Sequence, residues 1–414
     1  MVPDESASAG PVPARRASSL PAVLATLTVA WGGNQFTPLL GTYETLRGFD
    51  QLTVNLLLFS YVGGIIPALF LAARAQRRLR LRTLAIGVVA LSLVGSILLA
   101  TAGSTVPQLM VGRILSGIAL GGGMVSGSAW IRLLVLTRGP ITTRLLAAAA
   151  RSTALALTNG FGLGATAAGV LARFAPYPLA AAYLPHLLLA AGSLVLIAVT
   201  ARRVPAGVPV RRADRPRAAN AGMRTRLLVC VLPVAPLIFG SLGLAYAILP
   251  QRLVAAHGPV SSLYPTLLCA ATLTAGFAIQ QGIRRVPSQL RFPAPAMGVS
   301  LFIVLTVIAA LTLDRLEPVG VLVLSSLLGV AYGLVISGCL ARVQMVTPPG
   351  ADALMSALVY ALAYAGFGLP FLLSWANQWL DYSTLLLVVA AVAMPPAVIT
   401  QVAGMRLHPH RENA

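Results

Sequence analysis

The sequence predicts an all-α integral membrane protein of about twelve transmembrane helices, arranged as two parallel six-helix repeats. Three observations carry the prediction: long apolar runs, arginines confined largely to every second loop, and glycine motifs that recur in the second half. Of 414 residues, 57% are hydrophobic and only 10% are charged. A soluble domain carries roughly one quarter charged residues, so most of this chain is committed to lipid. Twelve helices of about 20 residues would each cross about 30 Å of hydrocarbon at a rise of 1.5 Å per residue. Short loops and two tails take up the rest, which leaves no room for a sizeable soluble domain.

Apolar runs place the spans near 20–41, 52–73, 83–102, 108–131, 146–172 and 178–201, then 227–249, 262–283, 294–313, 319–341, 353–374 and 383–404. The net charge of +20 would suggest nucleic acid in a soluble protein, but its placement argues otherwise. Every basic side chain is arginine. Clusters occupy loop 2–3 (Arg74, Arg77, Arg78, Arg80, Arg82), loop 4–5 (Arg132, Arg138, Arg144), the central loop from Arg202 to Arg226, and loop 8–9 (Arg284, Arg285, Arg291). The alternate loops hold only Arg47, Arg173, Arg252 and Arg315. This bias puts both termini in the cytoplasm and fixes the number of spans, because a miscounted helix would scramble it.

The first apolar run follows Arg15 and Arg16, like a signal peptide, but continues through Trp31, Asn34 and Gln35 without a small-residue cleavage pattern. It is read as an uncleaved first helix. The expected organisation is a cytoplasmic tail (1–19), a six-helix bundle (20–201), an Arg-rich cytoplasmic linker (202–226), a second six-helix bundle (227–404) and a cytoplasmic tail (405–414).

Internal repetition supports the division. Asn159-Gly160-Phe161-Gly162-Leu163-Gly164 in span five is echoed by Ala365-Gly366-Phe367-Gly368-Leu369-Pro370 in span eleven. Gly117-Ile118-Ala119-Leu120-Gly121 in span four is echoed by Gly329-Val330-Ala331-Tyr332-Gly333 in span ten. Parallel repeats of this kind place a substrate site at their interface, near the bilayer midplane.

These motifs resemble the major facilitator superfamily along the whole chain. Gly112-Arg113-Ile114-Leu115-Ser116-Gly117 resembles its span-four Arg-x-x-x-Gly signature. Gly160, Gly162, Gly164 and Gly169 resemble the span-five motif of its antiporter branch, with Ala165 where a proline is usual. The loop 2–3 signature, usually Gly-x-x-x-Asp-Arg-x-Gly-Arg-Arg, reads Ala73-Arg74-Ala75-Gln76-Arg77-Arg78-Leu79-Arg80-Leu81-Arg82 here. Its acid is missing and Arg77 stands near that place, so the acid's gating role is not carried over. The resemblance implies the major facilitator fold and a bacterial drug or metabolite exporter, proton-coupled, in the inner (plasma) membrane. It also implies that Arg113 faces the first helix.

Arg113 is the sharpest intramembrane residue, because a guanidinium in lipid needs acceptors or an aqueous cavity. Asn34 and Gln35 are expected to offer acceptors on span one, and Arg113 either serves the cavity or pins span four to span one. Trp31, Asn34 and Gln35 form a polar-aromatic cluster that faces substrate or other helices. Tyr246, Tyr332, Tyr360 and Tyr364 could line the same cavity, or act as packing and interface tyrosines. Two groups are candidates for proton coupling. Glu44 lies at the outer end of span one and is otherwise a solvated loop carboxylate. His186 lies in span six and is otherwise a hydrogen-bonded structural histidine. Pro233, Pro236 and Pro370 predict kinks. Arg77, Arg78, Gly117, Gly121, Gly160, Gly162, Gly164 and Pro370 are assigned to gating and packing. Cys230, Cys269 and Cys339 fall in apolar runs and are read as small buried hydrophobes.

No Ser/His/Asp set, metal-ligand spacing or phosphate-cradling loop appears, so neither an enzyme, a metal nor a cofactor is expected. The expected activity is secondary transport of a small hydrophobic or amphipathic molecule by alternating access, most simply as proton-coupled export by a monomer in the lipid bilayer. A proton-independent facilitator or uptake carrier is the alternative within that class. A non-transporting membrane sensor and a membrane-embedded lipid-modifying enzyme are the alternatives outside it.

Overall fold

The computed structural model describes residues 18–137, 142–202, 229, 231–257, 263–286, 294–346 and 352–406. Most of both tails, the arginine-rich linker beyond Arg202, Arg138 and Cys230 lie outside the described residues. Among the described residues the chain is helical and contains no strand.

Eleven helices among the described residues are long and apolar enough to cross a bilayer. Lipid offers no partner for backbone amides, so a helix that satisfies its own is the form such runs must take. The expected twelfth span, first in the chain, is not among the eleven because it is broken. Leu20–Asn34 is helical, Thr37–Leu39 forms a 3-10 turn, and Leu40–Arg47 resumes the helix. Pro38 has no N–H to return to the Asn34 carbonyl, and the chain tightens to a Leu39 N–H to Phe36 carbonyl bond of 3.0 Å instead.

Proline also explains two further irregularities. Span seven begins at Ala235, with Pro236 in its first turn rather than at a kink. Its discontinuity is a π-helical turn over Leu244–Ile248, immediately before Pro250. The span then continues to His257, eight residues past the expected end, so Arg252 stands in a helix and not in a loop. Span eleven is split into Asp352–Ala365 and Gly368–Ala376. The break falls at Gly366, whose carbonyl Pro370 cannot serve and which accepts from the Leu369 N–H at 3.0 Å.

Glycine sets how closely the helices approach. A Cβ at Gly117 would overlap the Tyr61 carbonyl of span two (Gln51–Ala75), and one at Gly121 would press on the Ile65 carbonyl. The same pairing recurs in the second half, where Gly329 and Gly333 of span ten (Pro318–Val346) lie on the Thr272 and Gly276 carbonyls of span eight (Tyr264–Arg285). Gly160 of span five (Thr143–Phe174) meets the Leu27 carbonyl of span one, and Gly366 meets the Pro236 carbonyl of span seven in the matching way. Gly164 packs on Trp31, whereas Gly162 faces open space. The echoed motifs are thus equivalent backbone-to-backbone contacts in the two halves.

Replacing Gly160 or Gly366 with valine forces two helix backbones apart, at about 1–3 kcal/mol each. Gly162→Ala has room and should be neutral or slightly stabilising. Thermal unfolding in detergent checks both expectations.

Candidate substrate cavity and gate

The broken first span places the cavity's polar wall. Beyond Asn34 the chain leaves the helical ladder, so the Gly33 carbonyl and the Asn34 and Thr37 side chains turn toward the interface between the halves. Thr37 Oγ1 donates to Asn34 Oδ1 at 2.9 Å, and Asn34 Nδ2 donates to the Phe161 carbonyl at 3.0 Å. Close packing of spans two and four at Gly117 sets Tyr61 beside Arg113, which is 1% exposed. The Arg113 guanidinium donates to the carbonyls of Leu57 (3.2 Å), Gly33 (3.5 Å) and Leu58 (3.5 Å). Phe36 and Tyr61 lie against it with ring centroids at 4.5 and 4.3 Å. It therefore faces the first helix, but its partners are backbone carbonyls and aromatic faces, not the side chains of Asn34 and Gln35.

The second half supplies an aromatic wall. Phe239 stacks on Tyr364 at 4.3 Å and on Phe367 at 4.9 Å, with Tyr332 at 5.8 Å. Tyr246 reaches the same space from the π-helical turn of span seven. These rings, with Arg113, Asn34, Thr37, Tyr61 and Phe161, enclose a cavity of about 30 Å³. That is space for about one or two waters, so the two halves meet closely across it in this conformation. No carboxylate lines it among the described residues.

At the end of the bundle remote from the chain termini, hydrogen bonds join the halves. Asn55 Nδ2 donates to Ser374 Oγ at 2.7 Å and to Gln251 Oε1 at 3.2 Å. Gln251 Nε2 donates to Glu44 Oε1 at 2.7 Å. The Tyr382 hydroxyl donates to Gln51 Oε1 at 3.3 Å, and the Arg252 guanidinium lies 4.8 Å from the centre of its ring. Asn55 Oδ1 and Arg252 Nε are buried here without a hydrogen-bond partner. Each such group costs about 1–3 kcal/mol, which opening to water would relieve. Gly169 against Thr266 and Phe59 stacked on Phe371 close the same end by packing.

A family model described as Major Facilitator Superfamily matches residues 22–370. The chain belongs to the major facilitator superfamily. The fold has solved counterparts. A POT family transporter in complex with 5-aminolevulinic acid aligns with TM-score 0.75 at 14% identity, covering 94% of this chain and 96% of that one. A D-xylose-proton symporter aligns with TM-score 0.67 at 14% identity, over 94% and 96% of the two chains. The nucleoside transporter NupG aligns with TM-score 0.66 at 14% identity, over 93% and 99%. At such identity the likeness is one of fold. No curated protein matches the sequence. Family membership makes this a multi-pass membrane transporter, with a transport rather than an enzymatic role.

Within the transporter, the residues singled out in the sequence divide into groups. Asn34, Arg113, Tyr246, Tyr332 and Tyr364 meet at the cavity. Trp31 packs toward span five at Gly164, and Tyr360 is outside the cavity lining. Gln35 turns away from the cavity, and its Nε2 donates to Ser96 Oγ at 2.7 Å. That serine also bonds His186 Nδ1 at 2.8 Å, while His186 Nε2 lies 3.1 Å from both Ser92 Oγ and the Thr28 carbonyl. His186 is fully buried within the first half. Arg77 and Arg78 are exposed in the turn after span two. Sequence reasoning missed Tyr61, Phe239 and Phe367, which are ordinary aromatics in apolar runs. It also missed Asn55 and Gln251, although an amide in or beside an apolar span was the signal that picked out Asn34.

Glu44 stands just beyond the expected first span, half-buried in helix Leu40–Arg47. Burial pushes its carboxyl from 4.5 up to about 7, against the smaller opposing effect of the Gln251 hydrogen bond. A value raised in the latched state means that protonation favours that state. The advantage is complete below 4.5 and is lost as pH rises through about 7. Labelling of a Ser374→Cys variant is expected to increase across that window. Glu44→Gln should flatten the profile, and Asn55→Leu, which removes two bonds of the latch, should raise labelling at every pH.

Proposed function

We propose that this transporter is a secondary carrier that moves a small amphipathic molecule by alternating access, as proton-coupled export across a bacterial plasma membrane. The observation that carries the reading is a narrow cavity built equally from both halves, beneath a latch whose hydrogen bonds cross between them. A site shared by two bundles changes its access when they rock against each other. The arginine alternation supports cytoplasmic termini, which makes the latched end the outer one. The span-five glycine motif supports export. Glu44 supports proton coupling, being a half-buried carboxyl in the latch that accepts a hydrogen bond from the other half.

One observation favours a second reading, a proton-independent facilitator: no acid lines the cavity itself among the described residues. Counterflow of labelled lipophilic candidates into proteoliposomes tests transport, and repeating it with and without a pH gradient separates the two readings. Coupling through Glu44 predicts that Glu44→Gln retains counterflow but loses the gradient response. His186→Asn tests the alternative proton site. If both variants still follow the gradient, neither residue couples. An intact, monodisperse protein that moves no candidate would contradict the carrier reading.

A further inference from the structure

We propose that the substrate of this cavity is an amphipathic acid, with a flat apolar or aromatic body and a carboxylate or similar anionic head. This rests on the carrier reading above and specifies its substrate class. The head lies against Arg113 and the body against the rings of the second half.

The chemistry of the cavity is divided by half. The first half presents a guanidinium, an amide and hydroxyls; the second presents a wall of rings led by Phe239, Tyr364 and Phe367. A molecule polar at one end and flat at the other matches that division in a single orientation.

The charge on the polar side has carbonyl acceptors and aromatic faces but no carboxylate in the cavity lining among the described residues. A guanidinium carries five N–H groups. Three atoms of Arg113 are engaged, and two of those contacts are 3.5 Å long, at the limit of a useful hydrogen bond. Phe36 and Tyr61 occupy its neighbourhood but accept no hydrogen bond from it. Tyr61 and Tyr246 also line the cavity, and each carries a hydroxyl that can donate to an occupant. By contrast, the Asn34 amide is spoken for by Phe161 and Thr37. The groups facing the occupant can all donate, and one is a full positive charge that cannot accept. An anion satisfies them together, through charge-assisted bonds that are about twice as strong as neutral ones. A neutral molecule would leave the guanidinium with its carbonyls and rings alone, and a cation would be repelled.

The head would also span the halves. Arg113 belongs to span four and Tyr246 to the π-helical turn of span seven, and both line the one cavity. Taking both as donors ties the two halves to the occupant, so that a ligand lacking the head loses more than one bond.

Three probes with one body and different heads provide the test: phenylacetate, phenylacetamide and phenethylamine. Thermal protection of the purified full chain and counterflow into proteoliposomes are measured for each. The acid is expected to protect and to move at concentrations at least tenfold below the amide, with the amine weakest. Tyr246→Phe keeps the ring and removes one donor. It should weaken phenylacetate several-fold and phenylacetamide by less, since the bond to the charged head is the stronger one. Arg113→Lys should weaken the acid more strongly, and the Tyr246 variant keeps the test decisive if the lysine protein misfolds. Amide or amine binding as well as the acid overturns the proposal while leaving a working carrier. Failure of all three to bind also overturns it. The carrier reading is judged apart, by whether any lipophilic candidate shows counterflow.

Discussion

A guanidinium inside a bilayer must be given acceptors or water, and Arg113 is given acceptors. On insertion scales a central arginine costs about 2.5–3.5 kcal/mol, and far more on an isolated helix. The structure meets that cost by arranging three helices around one side chain. Gly117 and Gly64 let spans two and four touch backbone to backbone, which brings the Leu57 and Leu58 carbonyls and the Tyr61 ring into reach. The break at Pro38 lies just past Gly33, whose carbonyl completes the set. Fold irregularity and buried charge therefore have one explanation.

The same break links the cavity to the gate. Gly33, Asn34 and Thr37 at the break line the cavity, and the helix that follows carries Glu44 into the latch with Gln251. The second half has a related arrangement in span seven, where the π-helical turn holds Tyr246 in the cavity and Gln251 follows within the same helix. Each half thus runs one irregular helix from cavity to latch. A change at either place can be felt at the other without any coupling through distant packing. His186 plays a different part: with Ser92, Ser96 and Gln35 it holds the first span against its own half, so that the break moves with that half.

Much of this was legible in the sequence, for physical reasons that differ by feature. The all-helical membrane fold followed from hydropathy, because lipid permits little else, and eleven of the twelve expected spans are long and apolar enough to cross a bilayer among the described residues. The glycine echoes predicted a repeat, and the structure shows them to be matching contacts, Gly160 on Leu27 and Gly366 on Pro236. Arg113 stood out because charge in lipid is costly. What could not be read was direction around each helix. Asn34 and Gln35 are neighbours, yet one faces the cavity and the other Ser96. Span seven was ended too early because Gln251 and Arg252 look like loop residues, whereas they are helical and polar to form the latch. Phe239 and Phe367 carried no signal at all, since a cavity aromatic and a core aromatic are the same residue until they are placed.

Spin-label distances measured at both ends of the bundle test the account most directly. One label pair would sit beside the latch, at Leu46 and Val254; the other would sit at the opposite end, at Arg132 and Arg285, all of them exposed positions. The account predicts two populations at each end with reciprocal shifts: as the first pair separates, the second draws together. A single distance at each end, unchanged by pH or by any transported molecule, would contradict it.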